Sequence, residues 1–327
     1  MATLVAEQLS LIRSLSAPLT PETPDLPSRF TPRLCAPLPR TPRAVLFDVY
    51  GTLLISGSGD VGAARREPSD TSPERQRPRA TPSPGAPAGG PSPFAIAFAR
   101  ATGERIAPEI ARDGERAYRE EITASHERSI AAGVRHPEVD IVDVWSRVLS
   151  RIGRSASLSR PVDVTRLAIA WETLTNPVWP MPHAADAIRA LREARLPLGI
   201  VSNAQFYTPL LFPALFGADL TALGFDARLV VFSFREGRAK PDHSLFDRPL
   251  ASLRERAIDS ESTLYVGNDM RNDVHCAASA GCMTALFASD RRSFRPRSGD
   301  PQLEDLLPDT VIVSLDQLPS LVREAQP

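Results

Sequence analysis

Carboxylates, hydroxyls, an amide and a lysine recur along this chain just past short apolar runs. Asp48 closes Ala44-Val45-Leu46-Phe47 and is followed by Tyr50-Gly51-Thr52. Ser202 and Asn203 close Leu198-Gly199-Ile200-Val201. Lys240 sits in Gly237-Arg238-Ala239-Lys240-Pro241-Asp242, and Asp269 and Asp273 follow Val266-Gly267-Asn268. In an open α/β sheet, ligands bind beyond the carboxyl ends of the strands, so neighbouring strands would bring these groups to one edge. A carboxylate there can act as a nucleophile. Three crowded carboxylates resist ionising together, and a hard divalent cation such as Mg2+ relieves that. Asp269 and Asp273, four apart at a helix start, would face the same way. Ser202 can donate to an anionic oxygen, and Lys240 can neutralise substrate charge while keeping Asp48 ionised. Plainer roles exist for each: Ser202, Asn203 and Asp269 could cap helices, and Lys240 could be a solvated loop residue. Their joint order along successive strand–helix units favours chemistry. Lys240 is also the only lysine among 38 Lys plus Arg. A compact ammonium fits a crowded anionic site where the planar guanidinium fork does not.

The elements that must hold these groups follow from periodicity. Strands are expected at 44–47, 198–202, 229–232, 263–267, 283–287 and 310–313, and helices at 183–194, 210–216, 242–254, 272–280 and 315–323. Such alternation means βαβ units and a parallel sheet. Residues 94–176 carry helical apolar stripes, including Ile141, Trp145, Val148 and Leu149. Half of the 32 prolines fall in residues 1–43 and 63–93. The first segment reads as a tail, disordered or laid along the surface, with a short helix from Leu4 to Leu15; the second reads as a flexible insert. The expected architecture is α/β, a Rossmann-like parallel sheet flanked by helices, with an inserted helical cap domain. Its divisions are a proline-rich tail at 1–43, a core at 44–56 and 177–327, and a cap at 57–176 containing the segment 63–93.

The motifs FDVYGT (47–52), VSN (201–203), AKPD (239–242) and VGNDMRNDV (266–274) come in the order of the haloacid dehalogenase-like hydrolases, which this chain resembles. The resemblance implies that Asp48 attacks the substrate and forms a covalent aspartyl ester, with Thr52 orienting the site. Ser202 and Lys240 would bind the phosphoryl or equivalent oxygens, and Asn203, Tyr50 and Gly51 would lie against substrate. Asp48, the backbone carbonyl of Tyr50, Asp269 and Asp273 would hold Mg2+.

One position departs from the family's phosphatases, which carry a second aspartate two residues after the nucleophile. Here it is Tyr50, a poor acid–base group at neutral pH. Tyrosine there resembles the 2-haloacid dehalogenases, whose halide leaving group needs no proton. The favoured expectation is Mg2+-dependent hydrolysis of a small phosphorylated metabolite through an aspartyl phosphate. The alternatives are metal-independent 2-haloacid dehalogenation and a non-catalytic ligand-binding or regulatory module. Phosphonatases need a second lysine that the chain lacks. Net charge is −1 and no apolar run is long enough to span a bilayer, so neither a nucleic-acid nor a membrane partner is expected. Three Cys in 327 residues suggest a reducing, cytoplasmic setting. Cys276 and Cys282 read as small buried residues, Trp145, Trp171 and Trp179 as core, and Arg235 and Arg238 as candidate contacts to an anionic substrate.

Overall fold

The computed structural model describes residues 2–58, 91–156 and 161–324. Ala44–Phe47 form β1, and every side chain in it is buried. A continuous apolar run is what a strand covered on both faces requires. The next strands are β2 (Leu54–Ser56), β3 (Val178–Pro180), β4 (Leu198–Ser202), β5 (Phe225–Phe232), β6 (Thr263–Gly267), β7 (Met283–Phe287) and β8 (Thr310–Ile312). Six of them form one sheet in the order β5-β4-β1-β6-β7-β8, parallel throughout. This is a Rossmann-like sheet flanked by helices. β1 lies at its centre: Leu46 is opposite Gly199 of β4 and Tyr265 of β6. The chain builds outward through β4 and β5, then returns to the other side of β1, and such a reversal opens a crevice at the carboxyl ends.

The main helices are α1 (Ala2–Leu15), α2 (Pro93–Thr102), α3 (Pro108–Ala131), α4 (Ile141–Ala156), α5 (Val164–Thr175), α6 (Ala184–Glu193), α7 (Thr208–Leu215), α8 (Asp247–Arg254) and α9 (Leu318–Glu324). Helices α2 to α5 fall between β2 and β3, which pair antiparallel with Ser56 opposite Val178. Local chemistry sets their ends. The Ser92 hydroxyl caps α2 and Pro93 fits its first turn, while Asp163 caps α5 through the amides of Thr165 and Arg166. Of the expected stripe on α4, Ile141, Trp145 and Val148 are buried and Leu149 is half-buried; Val144 and Ile152 are buried beside them. Trp145 stacks on Tyr118 at 4.5 Å and on Phe94 at 5.7 Å.

Residues 1–43 carry the expected short helix as α1, and the rest lies along the surface with buried anchors such as Phe30. α1 packs on both α5 and α7 and buries Ile12 completely. Its polar face is tied to both sides: Gln8 donates to Thr165 at 3.1 Å, and Arg13 donates to the carbonyls of Pro213 and Ala214. Phe30 is likewise buried, among Met270, Leu286 and Val311. Proline removes backbone donors but leaves side chains free to pack. Of the segment 63–93, residues 63–90 lie outside the described residues, and Pro93 already begins α2. The helix expected at 272–280 is a wide π-wound turn, Met270–His275, running into a single α turn, Cys276–Ser279.

Candidate active site

The carboxyl ends of β1, β4 and β6 converge around one ammonium. Lys240 Nζ donates to Asp48 Oδ1 at 2.8 Å, to Asp273 Oδ1 at 2.5 Å and to the Tyr265 hydroxyl at 2.9 Å. All three of its protons are thereby used. Lys240 is 5% exposed, Asp48 7% and Asp273 1%, so the cluster is almost wholly screened from water. Burial alone would lower the Lys240 ammonium, but the carboxylates of Asp273 and Asp48 more than offset it and raise it above its usual value. The lysine therefore stays charged.

Lys240 is placed by its backbone. Asn203 grips it twice: its Oδ1 accepts from Lys240 N at 2.7 Å and its Nδ2 donates to Lys240 O at 3.3 Å. The amide expected to touch substrate is spent on holding the lysine loop. Tyr265, inside β6, accepts from Lys240 and donates to the Val201 carbonyl at 2.7 Å, so it spans β4 and β6. Asp273 reaches the lysine because Gly267 lacks a Cβ, which would collide with the Asp273 side chain. Ser202 ends β4 fully buried, with its hydroxyl directed to the Asn203 carbonyl at 3.2 Å.

Asp269 meets Asp273 through its backbone, whose amide donates to Asp273 Oδ2 at 2.9 Å, while its carboxylate is bonded elsewhere. Successive residues past a strand end point to opposite sides, and here the residue facing β1 is Asn268. Its Oδ1 accepts from Thr52 Oγ1 at 3.1 Å and its Nδ2 donates to the Ser293 carbonyl. Gly51, at φ +84, passes so close that a Cβ there would lie 2.7 Å from Asn268 Nδ2. The Asp269 carboxylate turns the other way. It accepts from the amides of Arg271 and Asn272, from the Asn272 side chain and from both forks of Arg297. Although burial opposes it, the Arg297 guanidinium holds Asp269 at about 2.

The Tyr50 hydroxyl is bonded to Thr208 Oγ1 at 2.9 Å. Burial, reinforced by Glu172, pushes the phenol well above its ordinary value, so it is no acid or base near neutral pH. Arg238 bonds Ser244 and faces Asp242, and Arg235 lies over the rings of Phe232 and Phe234; neither turns to Lys240. Cys276 and Cys282 are buried free thiols, pushed up to about 12 by burial. Asn268, Tyr265 and Arg297 were not singled out from sequence. The signal for Tyr265 was a polar-tipped residue inside an apolar strand; Arg297 gave none.

The donors present do not make the expected three-carboxylate Mg2+ set. Asp48 and Asp273 meet, a neutral amide occupies the third place, and Asp269 has both oxygens engaged. Among the described residues no three His, Cys, Asp or Glu side chains form a metal-holding group. Removing the competing guanidinium should change this. Arg297→Ala is expected to raise Mg2+ affinity on the order of tenfold, as read by titration calorimetry. Unchanged affinity would mean that Arg297 does not control access of a cation to Asp269.

A family model for haloacid dehalogenase-like hydrolases matches residues 42–281. A ribulose-1,5-bisphosphate 5-phosphatase from Halopiger xanaduensis is 30% identical over 166 residues, 50% of this chain and 65% of that protein. A phosphoglycolate phosphatase from Escherichia coli K12 is 36% identical over 102 residues, 31% of this chain and 36% of its own length. The chain thus spans less than two thirds of these curated relatives. The solved L-2-haloacid dehalogenase from Xanthobacter autotrophicus is 21% identical, covers 87% of this chain and 100% of its own, and gives a TM-score of 0.45.

Proposed function

The chain belongs to the haloacid dehalogenase-like hydrolases, and on that premise we propose that it hydrolyses a phosphoester of a small anionic metabolite through an ester on Asp48. The observation that carries this reading is the buried Asp48–Lys240–Asp273 cluster. An ammonium 2.8 Å from the nucleophile Asp48 offers positive charge to the attacked group. The phosphatase names of the two curated relatives favour phosphorus over carbon as the centre attacked. An Asp48 oxygen bonds to phosphorus, the bond from phosphorus to the leaving oxygen breaks, and that oxygen takes its proton from water. A second water then attacks phosphorus and returns Asp48 as a carboxylate. Asn203 and Tyr265 hold Lys240, and Thr52 with Asn268 fixes the turn after Asp48. The inserted segment 57–176 would serve as the cap that excludes water and selects the substrate. No step is routed through Mg2+, because the Asp269 carboxylate is taken up by Arg297.

The same geometry favours a second reading, displacement of halide from a small 2-halo acid. That leaving group needs no proton, and the two departures from a metal-dependent phosphatase are a tyrosine without acid–base function and a carboxylate neutralised by Arg297. Release of phosphate from a panel of phosphoesters, and of halide from chloro- and bromo-acids, with Mg2+ and with EDTA, separates the two. Phosphate release that Asp48→Asn abolishes supports the proposal. Halide release alone transfers it to the second reading, and neither product from any compound sinks both.

Tyr50→Phe gives a sharper internal check. Because the hydroxyl serves Thr208, its loss should leave kcat within about threefold and lower stability by roughly 1 kcal/mol. A fall of ~10²–10⁴-fold, the usual loss for a general acid, would show that the phenol takes part in the chemistry.

A further inference from the structure

The loop joining α3 to α4, residues 132–140, leaves the inserted segment and docks on the loop that carries Lys240. Ala239 N donates to the His136 carbonyl at 2.8 Å, Glu138 N donates to the Gly237 carbonyl at 3.2 Å, and Pro137 bridges Arg238. Ala239 immediately precedes Lys240. One side chain secures this junction. Glu138 Oε1 accepts from its neighbour Val139 N at 2.9 Å and from Gln205 Nε2 at 3.0 Å. Gln205 in turn donates to the Val139 carbonyl and lies two residues beyond Asn203, the residue that grips Lys240. Glu138 Oε2 lies 2.6 Å from Ser233 Oγ, which follows β5 and accepts from Ala204 N at 2.8 Å.

The proton count at Ser233 decides which form of Glu138 fits. Ser233 Oγ faces two acceptors, the Glu138 carboxyl and the Ala204 carbonyl at 3.2 Å, and has one proton to give. With Glu138 ionised, one of them goes without. With Glu138 protonated, its own O–H donates to Ser233 Oγ and frees the serine proton for Ala204, so every group is satisfied. The cations nearby are committed elsewhere. Arg235 lies over Phe232 and Phe234, Arg238 faces Ser244 and Asp242, and Lys240 serves Asp48 and Asp273. Glu236 pairs with Arg248, Asp140 caps α4 through Val142 N, and the charge of His136 is felt at Asp242.

We propose that Glu138 is a positioning residue whose protonated carboxyl pins the inserted segment to the Lys240 loop and whose ionisation loosens it; its bearing on turnover rests on the reaction proposed above. Burial pushes this carboxyl from its ordinary 4.5 up to about 7, against the hydrogen bonds from Ser233, Val139 and Gln205. A group whose docked value is raised stabilises the docked state most below 4.5, and that stabilisation is lost as pH rises to about 7. Loosening therefore grows with pH across this window and levels off above it.

Amide hydrogen exchange tests this without any substrate. After correction for intrinsic exchange, protection at Ala239 and Glu138 should fall by roughly tenfold per pH unit from about pH 5 to 7, then flatten. Glu138→Gln keeps the shape and one donor for Ser233, so its protection should stay high and independent of pH. His136→Asn should retain the wild-type slope. A flat wild-type profile, a Glu138→Gln profile that still titrates, or loss of the slope in His136→Asn would each overturn the assignment. The wild-type series stands even if a variant fails to fold. Because exchange needs no turnover, an inactive protein would sink the reaction proposed above and leave this test intact. If the reaction is established, kcat should decline as pH rises toward 7 and then level off in the wild type but not in Glu138→Gln.

Discussion

Asp48→Asn is expected to abolish turnover, lowering kcat/KM by at least ~10⁴-fold. The amide retains an oxygen for Lys240 but cannot form the covalent ester, so the fold and substrate affinity should survive while chemistry stops. Binding of substrate to an inactive, folded Asp48→Asn protein is thus the companion result. Oxygen-18 water makes the wild-type enzyme more informative still. If water attacks phosphorus, the label leaves in phosphate. If the intermediate is a carbon ester, as in halide displacement, water attacks the Asp48 carboxyl and the label stays in the protein. Turnover that persists in Asp48→Asn would remove Asp48 from the chemistry and with it both readings.

The second large effect lies at Lys240. Lys240→Met leaves Asp48 and Asp273 buried and facing each other without a cation. Breaking a buried pair by removing one partner costs about 3–5 kcal/mol. That loss should appear in denaturant unfolding at pH 8 and shrink on acidification, because uncompensated buried carboxylates bind protons more readily folded than unfolded. Turnover should fall by ~10³-fold or more, since the charge that neutralises the attacked group is gone. Lys240→Arg tests size instead of charge. The planar fork must enter a site whose three acceptors surround a point charge, so stability should recover only in part and activity should not return. A fully active Lys240→Arg would show that the lone lysine is a compositional accident.

What could be read from the chain follows how local each signal was. β1, β4, β6 and β7 announce themselves as dense apolar runs, and their order together with the polar residues at their ends points to Asp48, Lys240 and Asp273 meeting. Helical spacing puts Asp269 and Asp273 on one face, but it does not apply here. The chain leaves β6 extended at Asp269, and strand alternation hands the inner position to Asn268. Arg297, which claims Asp269, lies in an irregular stretch whose path no periodicity reveals. The prolines of residues 1–43 argued correctly against long regular structure, but they carried no information about Phe30, whose burial is settled by residues hundreds of positions away. Glu138 was invisible for the same reason: its partners come from β4, β5 and their following loops, and only the fold assembles them.

The solitary lysine has a practical consequence. Its side chain is 2% exposed and its amine is bonded to three oxygens, so the folded surface of these 327 residues offers an acylating reagent no lysine. Acylation at that residue must wait for the Asp48–Asp273 clasp to open, and its rate then counts openings of the catalytic crevice under native conditions. One covalent tag on this lysine, located by mass spectrometry, becomes a clock for the heart of the molecule, with no background from any other lysine.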